Sequence, residues 1–132
     1  MKRASQRVPF RHIDPRWLGD AAAGRAALAA RLAHLAIETL GEQIEACEST
    51  LHLHDDSAWE RVSHNLKGTL AILGAKGAVE QVQHLENLGR CAPQTVLAVA
   101  ALREAVGGVQ EELQRMLQAS EGRIAANGQA AR

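Results

Sequence analysis

The chain has 132 residues, enough for one domain with a single sizeable core. Fifteen Lys and Arg balance fifteen Asp and Glu, so with neutral histidines no net charge draws nucleic acid or anionic lipid, and no acidic tail stands out. One Phe, two Trp and no Tyr leave few platforms for stacking bases, so a nucleic-acid partner is not expected.

Ala, Leu, Glu, Gln and Arg dominate and β-branched runs are absent, which favours helix nearly everywhere. The opening MKRASQRVPFRH is basic but lacks an apolar h-region, so it is not a secretory signal. Residues 1–13 read as a flexible arm. Asp14 before Pro15 supplies an N-cap followed by proline at the first helical position, predicting a short helix over 15–20. A long helix follows from about Ala22 to Leu51, with Leu28, Leu32, Leu35, Leu40, Ile44 and Cys47 as one apolar stripe.

HLHDDS breaks that helix, and Ser57-Ala58-Trp59-Glu60 has the spacing of a capping box. A third helix runs to Leu73 and ends at Gly74. A fourth covers Lys76 to Leu88 with Val82 and Leu85 inward, closed by Gly89-Arg90-Cys91-Ala92-Pro93. The last begins at Pro93 and reaches about Ser120, with Gly107-Gly108 as a point where it can bend. Residues 121–132 read as a flexible tail. The expected architecture is all-α: an up-and-down four-helix bundle over 14–120 with a short extra N-terminal helix.

Cys47 and Cys91 form neither a disulfide framework nor a CxxC pair, so a reduced cytoplasm is the simplest setting and each reads as a small, buried apolar residue. No run of about 18 apolar residues exists to span a membrane.

The stretch SHNLKGTLAILGA at 63–75 carries the chemistry. At about 100° per residue, with His64 at zero, Leu73 falls near 180°, Leu66 near 200°, Val62 near 160°, Trp59 near 220° and Leu70 near 240°. His64 thus opposes the buried stripe and points at solvent. Lys67, Gly68, Ala71 and Ala75 lie within about 60° of it, with Glu60 beside them. Helical side chains lean toward the N-terminus, so residue 68 would normally shade the imidazole. A glycine there costs about 1 kcal/mol of helix propensity relative to alanine and leaves the ring uncovered for another protein's surface.

Lys67 places a cation where an anion attached to His64 would sit. An imidazole with the ordinary pKa of about 6.5 is largely neutral at pH 7 and nucleophilic, so a phosphoryl group fits. The second ring N–H then needs a holder. Glu86 on the next helix is a candidate to accept from Nδ1–H and leave Nε2 free; a solvated helix charge is the other reading, and projection does not choose between them.

This pattern resembles the histidine-containing phosphotransfer (HPt) domains of multistep phosphorelays. Their motif, roughly H-x-L-K-G-small-small-x-x-L-G-A followed by an L-E pair, is matched by His64 to Ala75 and by Leu85-Glu86. The resemblance extends over about 14–118, and Leu70, where a small residue is usual, is its one departure. It implies a four-helix bundle whose exposed histidine accepts a phosphoryl group at Nε2 from a receiver-domain aspartyl phosphate and hands it to another receiver. It implies a carrier rather than an enzyme, with no cofactor of its own, the Mg²⁺ being supplied by the receiver. The partners implied are receiver domains of response regulators and of a hybrid histidine kinase. The roles carried over are phosphoacceptor for His64, phosphoryl-neighbouring cation for Lys67, close-approach glycine for Gly68 and Nδ1 partner for Glu86.

Two alternatives compete: a helical docking module without phosphotransfer, and the phosphoacceptor domain of a chemotaxis-type kinase. His52 and His54 beside Asp55 and Asp56 lack a further ligand at metal-site spacing, so no metal is expected. Ser63 points about 100° away from His64 and forms no nucleophile–base pair with it. No GxSxG, P-loop or GxGxxG is present. A starting Met and two loose ends are the pattern expected of a free-standing shuttle.

Overall fold

A computed structural model describes residues 10–130, with side chains at all of these except 18, 19 and 120–130. Residues 1–9 of the expected arm and 131–132 of the expected tail lie outside the described residues. Five helices follow one another there: α1 Arg16–Ala22, α2 Ala26–Leu53, α3 Asp56–Ile72, α4 Lys76–Leu88 and α5 Thr95–Ala130. The four longer ones form a ring in which α2 packs on α3 and α5, and α4 on α3 and α5, while α1 lies on α2. The fold is the expected all-α bundle with an extra short helix in front.

The local causes are visible at each junction. Ala23 and Gly24 both have positive φ, 52° and 77°, which breaks the chain between α1 and α2. The long helix therefore begins at Ala26 rather than near Ala22. At the start of α3 the cap is Asp55, whose carboxylate accepts from the Ala58 N–H at 3.0 Å, in place of the expected Ser57 box. At its end, Ala75 N–H donates to the Leu70 carbonyl (2.9 Å) and Gly74 N–H to that of Ala71 (3.0 Å), with Gly74 at φ 71°. This is a Schellman turn, and it explains why the chain leaves the helix at Ile72.

Leu40, Leu66, Leu70, Leu85, Leu102 and Leu113 fill the centre of the ring, and Leu70 is fully buried. Toward the other end, Ala22, Ala29, Ala30 and Ala33 let α1 and α2 come close to Leu117. Leu35, expected in the apolar stripe of α2, is instead 59 % exposed, because the stripe turns with the helix and passes through Ala33 and Leu40. Glu48 and Arg103 tie α2 to α5, with Nη2 to Oε1 at 2.8 Å, and Gln110 donates to the Ile37 carbonyl at 3.0 Å.

Two boundary expectations need correction. Residues 10–13 are part of the folded domain, not a flexible arm. Ile13 is buried, Phe10 packs on the core, and the Glu112 carboxylate, 4 % exposed, accepts from the N–H groups of Arg11 (2.7 Å), His12 (3.0 Å) and Ile13 (3.1 Å). At the other end α5 continues as helix to Ala130, since Glu, Arg, Ala and Gln in 121–130 keep helix propensity high. The helix runs on through Gly107-Gly108, the point where a bend was expected; the His12 ring packs on Gly108, where an added Cβ would lie 2.6 Å from Nε2.

Candidate functional site

His64 lies midway along α3 and is exposed, while Trp59, Leu66 and Leu70 on the same helix are buried. Its ring makes no hydrogen bond or ion pair with any described residue. Ser63 is buried beside Cys47 and takes no part in the exposed face. The helical projection therefore separated the two strips of α3 correctly.

Gly68, Ala71 and Glu60 are exposed on the histidine's side of α3, as expected. A Cβ added at Gly68 would meet nothing within 4 Å, so no contact inside the described chain requires that glycine. Ala75, assigned to the same face, does not belong to it. It is fully buried at the start of α4, because the Schellman turn ends the helical phase at Ile72, three residues earlier, and folds Ala75 onto Leu70. Ile72, 68 % exposed, was not singled out from the sequence although it falls about 80° from His64 in projection. Arg61, one turn before His64, was also overlooked; it is exposed, and the i−3 spacing would have found it.

A groove of about 640 Å³ opens beside His64, between α3 and the α4–α5 connection. Trp59, Glu60 and Asp56 line one wall, and Glu86, Leu88, Gly89, Arg90, Cys91 and Ala92 the other. Arg90 fixes this geometry. Its side chain is 8 % exposed, with Nε 2.8 Å from Asp56 Oδ1 and Nη1 3.1 Å from His54 Nδ1, so it pins the connection to the turn before α3. Cys91 is exposed at the groove, against the expectation of burial, because the loop carries it outward. Cys47 is buried as expected, and burial pushes its thiol up to about 11.

Lys67 and Glu86 meet in a way the sequence did not indicate. Lys67 Nζ lies 2.6 Å from Glu86 Oε1 and 3.2 Å from Gln83 Oε1. The expected Glu86 contact to the imidazole Nδ1 is not formed, since the carboxylate is taken by the ammonium group across the α3–α4 seam. Chemically, the arrangement offers a solvent-facing nucleophilic nitrogen on a flat strip, one turn from a paired cation, beside a groove with a fixed floor.

The Hpt domain family model matches residues 28–122. No curated protein and no solved structure matches the chain. The matched span takes in α3, α4 and nearly all of α2, together with α5 as far as residue 122. The chain belongs to the Hpt domain family, whose members serve histidine phosphotransfer in phosphorelays.

Proposed function

We propose that the chain is a phosphocarrier whose acceptor is His64 Nε2, loaded by the aspartyl phosphate of one receiver domain and unloaded onto the aspartate of another. The observation that carries this reading is the uncovered ring of His64 next to Gly68, where a Cβ would meet open space. A glycine retained there at a cost in helix propensity suits the close approach of a second protein.

In loading, the Nε2 lone pair forms a bond to phosphorus as the acyl-phosphate P–O bond breaks. The electron pair of that bond leaves with the receiver's carboxylate, and Nδ1 keeps its proton. Unloading is the reverse on a second receiver. Mg²⁺ and the reacting aspartate belong to the receiver, so this chain needs no cofactor and supplies only position and charge. Receiver domains of a hybrid histidine kinase and of response regulators are the partners of this scheme, with the cytoplasm as its setting.

Incubation with receiver domains carrying labelled aspartyl phosphate tests it. Acid-labile label should pass to the wild-type chain and not to His64→Gln. Label from an ATP-charged kinase domain but from no receiver would mean a chemotaxis-type phosphoacceptor instead, and no label from either source would leave a docking module.

A further inference from the structure

We infer that Glu86 is a positioning residue that withholds Lys67 from His64 while the histidine is unmodified, making the cation conditional on displacement of a fixed carboxylate. The inference rests on the reading of His64 as the phosphoryl acceptor.

Three observations carry it. First, Lys67 is held on two sides: Glu86 Oε1 at 2.6 Å and Gln83 Oε1 at 3.2 Å take two of its three N–H donors. Gln83 is itself oriented, since its amide NH₂ donates to Asn87 Oδ1 at 3.2 Å. Gln83, Glu86 and Asn87 stand at i, i+3 and i+4 on one face of α4, so they form a cradle for a single ammonium group. Second, the pair is partly shielded, with the Lys67 and Glu86 side chains 25 % and 24 % exposed, which strengthens it relative to a fully solvated pair. Third, Glu86, the partner of Lys67, lines the same groove as His64, and Arg90, the lysine or arginine that lines that groove, is already committed to Asp56 and His54.

A phosphoryl group on His64 would bring a charge of nearly −2 to a place one helical turn from Lys67. Lys67, at i+3, leans toward the histidine, whereas Arg61, at i−3, leans away from it. One ammonium group then stands between a permanent anion and a transient one. Glu86 neutralises Lys67 in the unmodified protein and competes for it afterwards, so it lowers the attraction of His64 for any anionic phosphoryl donor.

Phosphoramidate provides a test that requires no receiver domain. Its phosphoryl group passes to imidazole as the Nε2–P bond forms and the P–N bond breaks, the electron pair leaving with ammonia. The initial rate of phosphohistidine formation at residue 64 is read by ³¹P NMR, with His64→Gln used to subtract label on the other histidines. Glu86→Gln should raise that rate roughly three- to fivefold, the range set by a moderately strong ion pair. Glu86→Ala should move it in the same direction, and Lys67→Ala should lower it. The Lys67→Ala/Glu86→Gln double variant should match Lys67→Ala alone. An unchanged or slower rate in Glu86→Gln, or the same gain in the Lys67→Ala background, would overturn the inference. Failure of every receiver to charge the wild type would defeat the phosphocarrier reading and leave these chemical rates standing, so the two failures are distinguishable.

Discussion

Gly74 and Asp14 approach so closely that a Cβ on the glycine would lie 2.6 Å from the Cβ of Asp14. The Asp14 N–H donates to the Leu73 carbonyl at 3.1 Å, so the segment before α1 is seated on the turn between α3 and α4. Gly74 also holds φ at 71°, where a side chain is strained. Gly74→Ala should therefore destabilise the fold by about 2 kcal/mol or more, combining left-handed strain with a clash against the Asp14 Cβ. Urea denaturation checks this, and an unchanged midpoint would show that the N-terminal segment contributes little.

Gly68 is the opposite case, mid-helix with open space around it. Gly68→Ala should raise stability by about 0.5–1 kcal/mol through helix propensity. Gly68→Leu should keep the fold but slow phosphoryl transfer from a receiver by about tenfold or more, because the approach of the second protein is obstructed. Rapid-quench transfer rates beside thermal melts separate the two effects. Equal transfer rates in wild type and Gly68→Leu would remove the clearance argument.

Glu112 accepts from three consecutive backbone N–H groups while almost fully buried. Removing it strands donors that water reaches poorly, so Glu112→Ala should cost about 3 kcal/mol. Glu112→Gln should cost less, since it keeps one acceptor oxygen. Hydrogen exchange adds a local readout: the amides of Arg11, His12 and Ile13 should lose protection in the alanine variant before the centre of α5 does.

The two thiols should behave differently. At neutral pH, Cys91 should react with a thiol reagent and Cys47 should not, because one is exposed and the other buried. Burial pushes the Cys47 thiol from an ordinary value of 9.0 up to about 11. Between those values the folded chain holds a proton that the unfolded chain releases. This contribution to stability is complete below pH 9.0 and is lost as pH rises toward 11. Cys47→Ser should flatten the decline in stability over that window, measured by denaturant titration at successive pH values.

Features governed by local pattern were legible in the sequence. The bounds of α4 at Lys76 and Leu88 follow from the glycine-flanked periodic segment, and the exposed position of His64 opposite Leu66, Leu70 and Leu73 follows from helical phase. Ala75 was misassigned because the phase was carried past a turn that resets it. The role of Glu86 stayed open because projection fixes a direction on one helix but not which of two neighbours across a seam captures the side chain; Lys67 holds it. The Glu112 contacts lay beyond reach, joining residues about a hundred positions apart with no local signature. Its place three residues after buried Val109 was the one available hint.

The seating of residues 10–14 against Gly74, Gly108 and Glu112 bears on how the molecule can be tethered. These residues lie at the end of the bundle where α3 finishes, about 14 Å along the helix axis from His64. The groove beside His64 opens toward the opposite end, where α3 begins and α5 starts. Beyond Glu112, α5 carries the chain a further 18 residues, roughly 27 Å, in the direction away from that groove. A label, a surface linker or a second folded unit attached at either end of the described chain would thus hang from one pole and leave the other clear. On the proposed function, the domain can be anchored from behind while its His64 face stays open to a receiver in front.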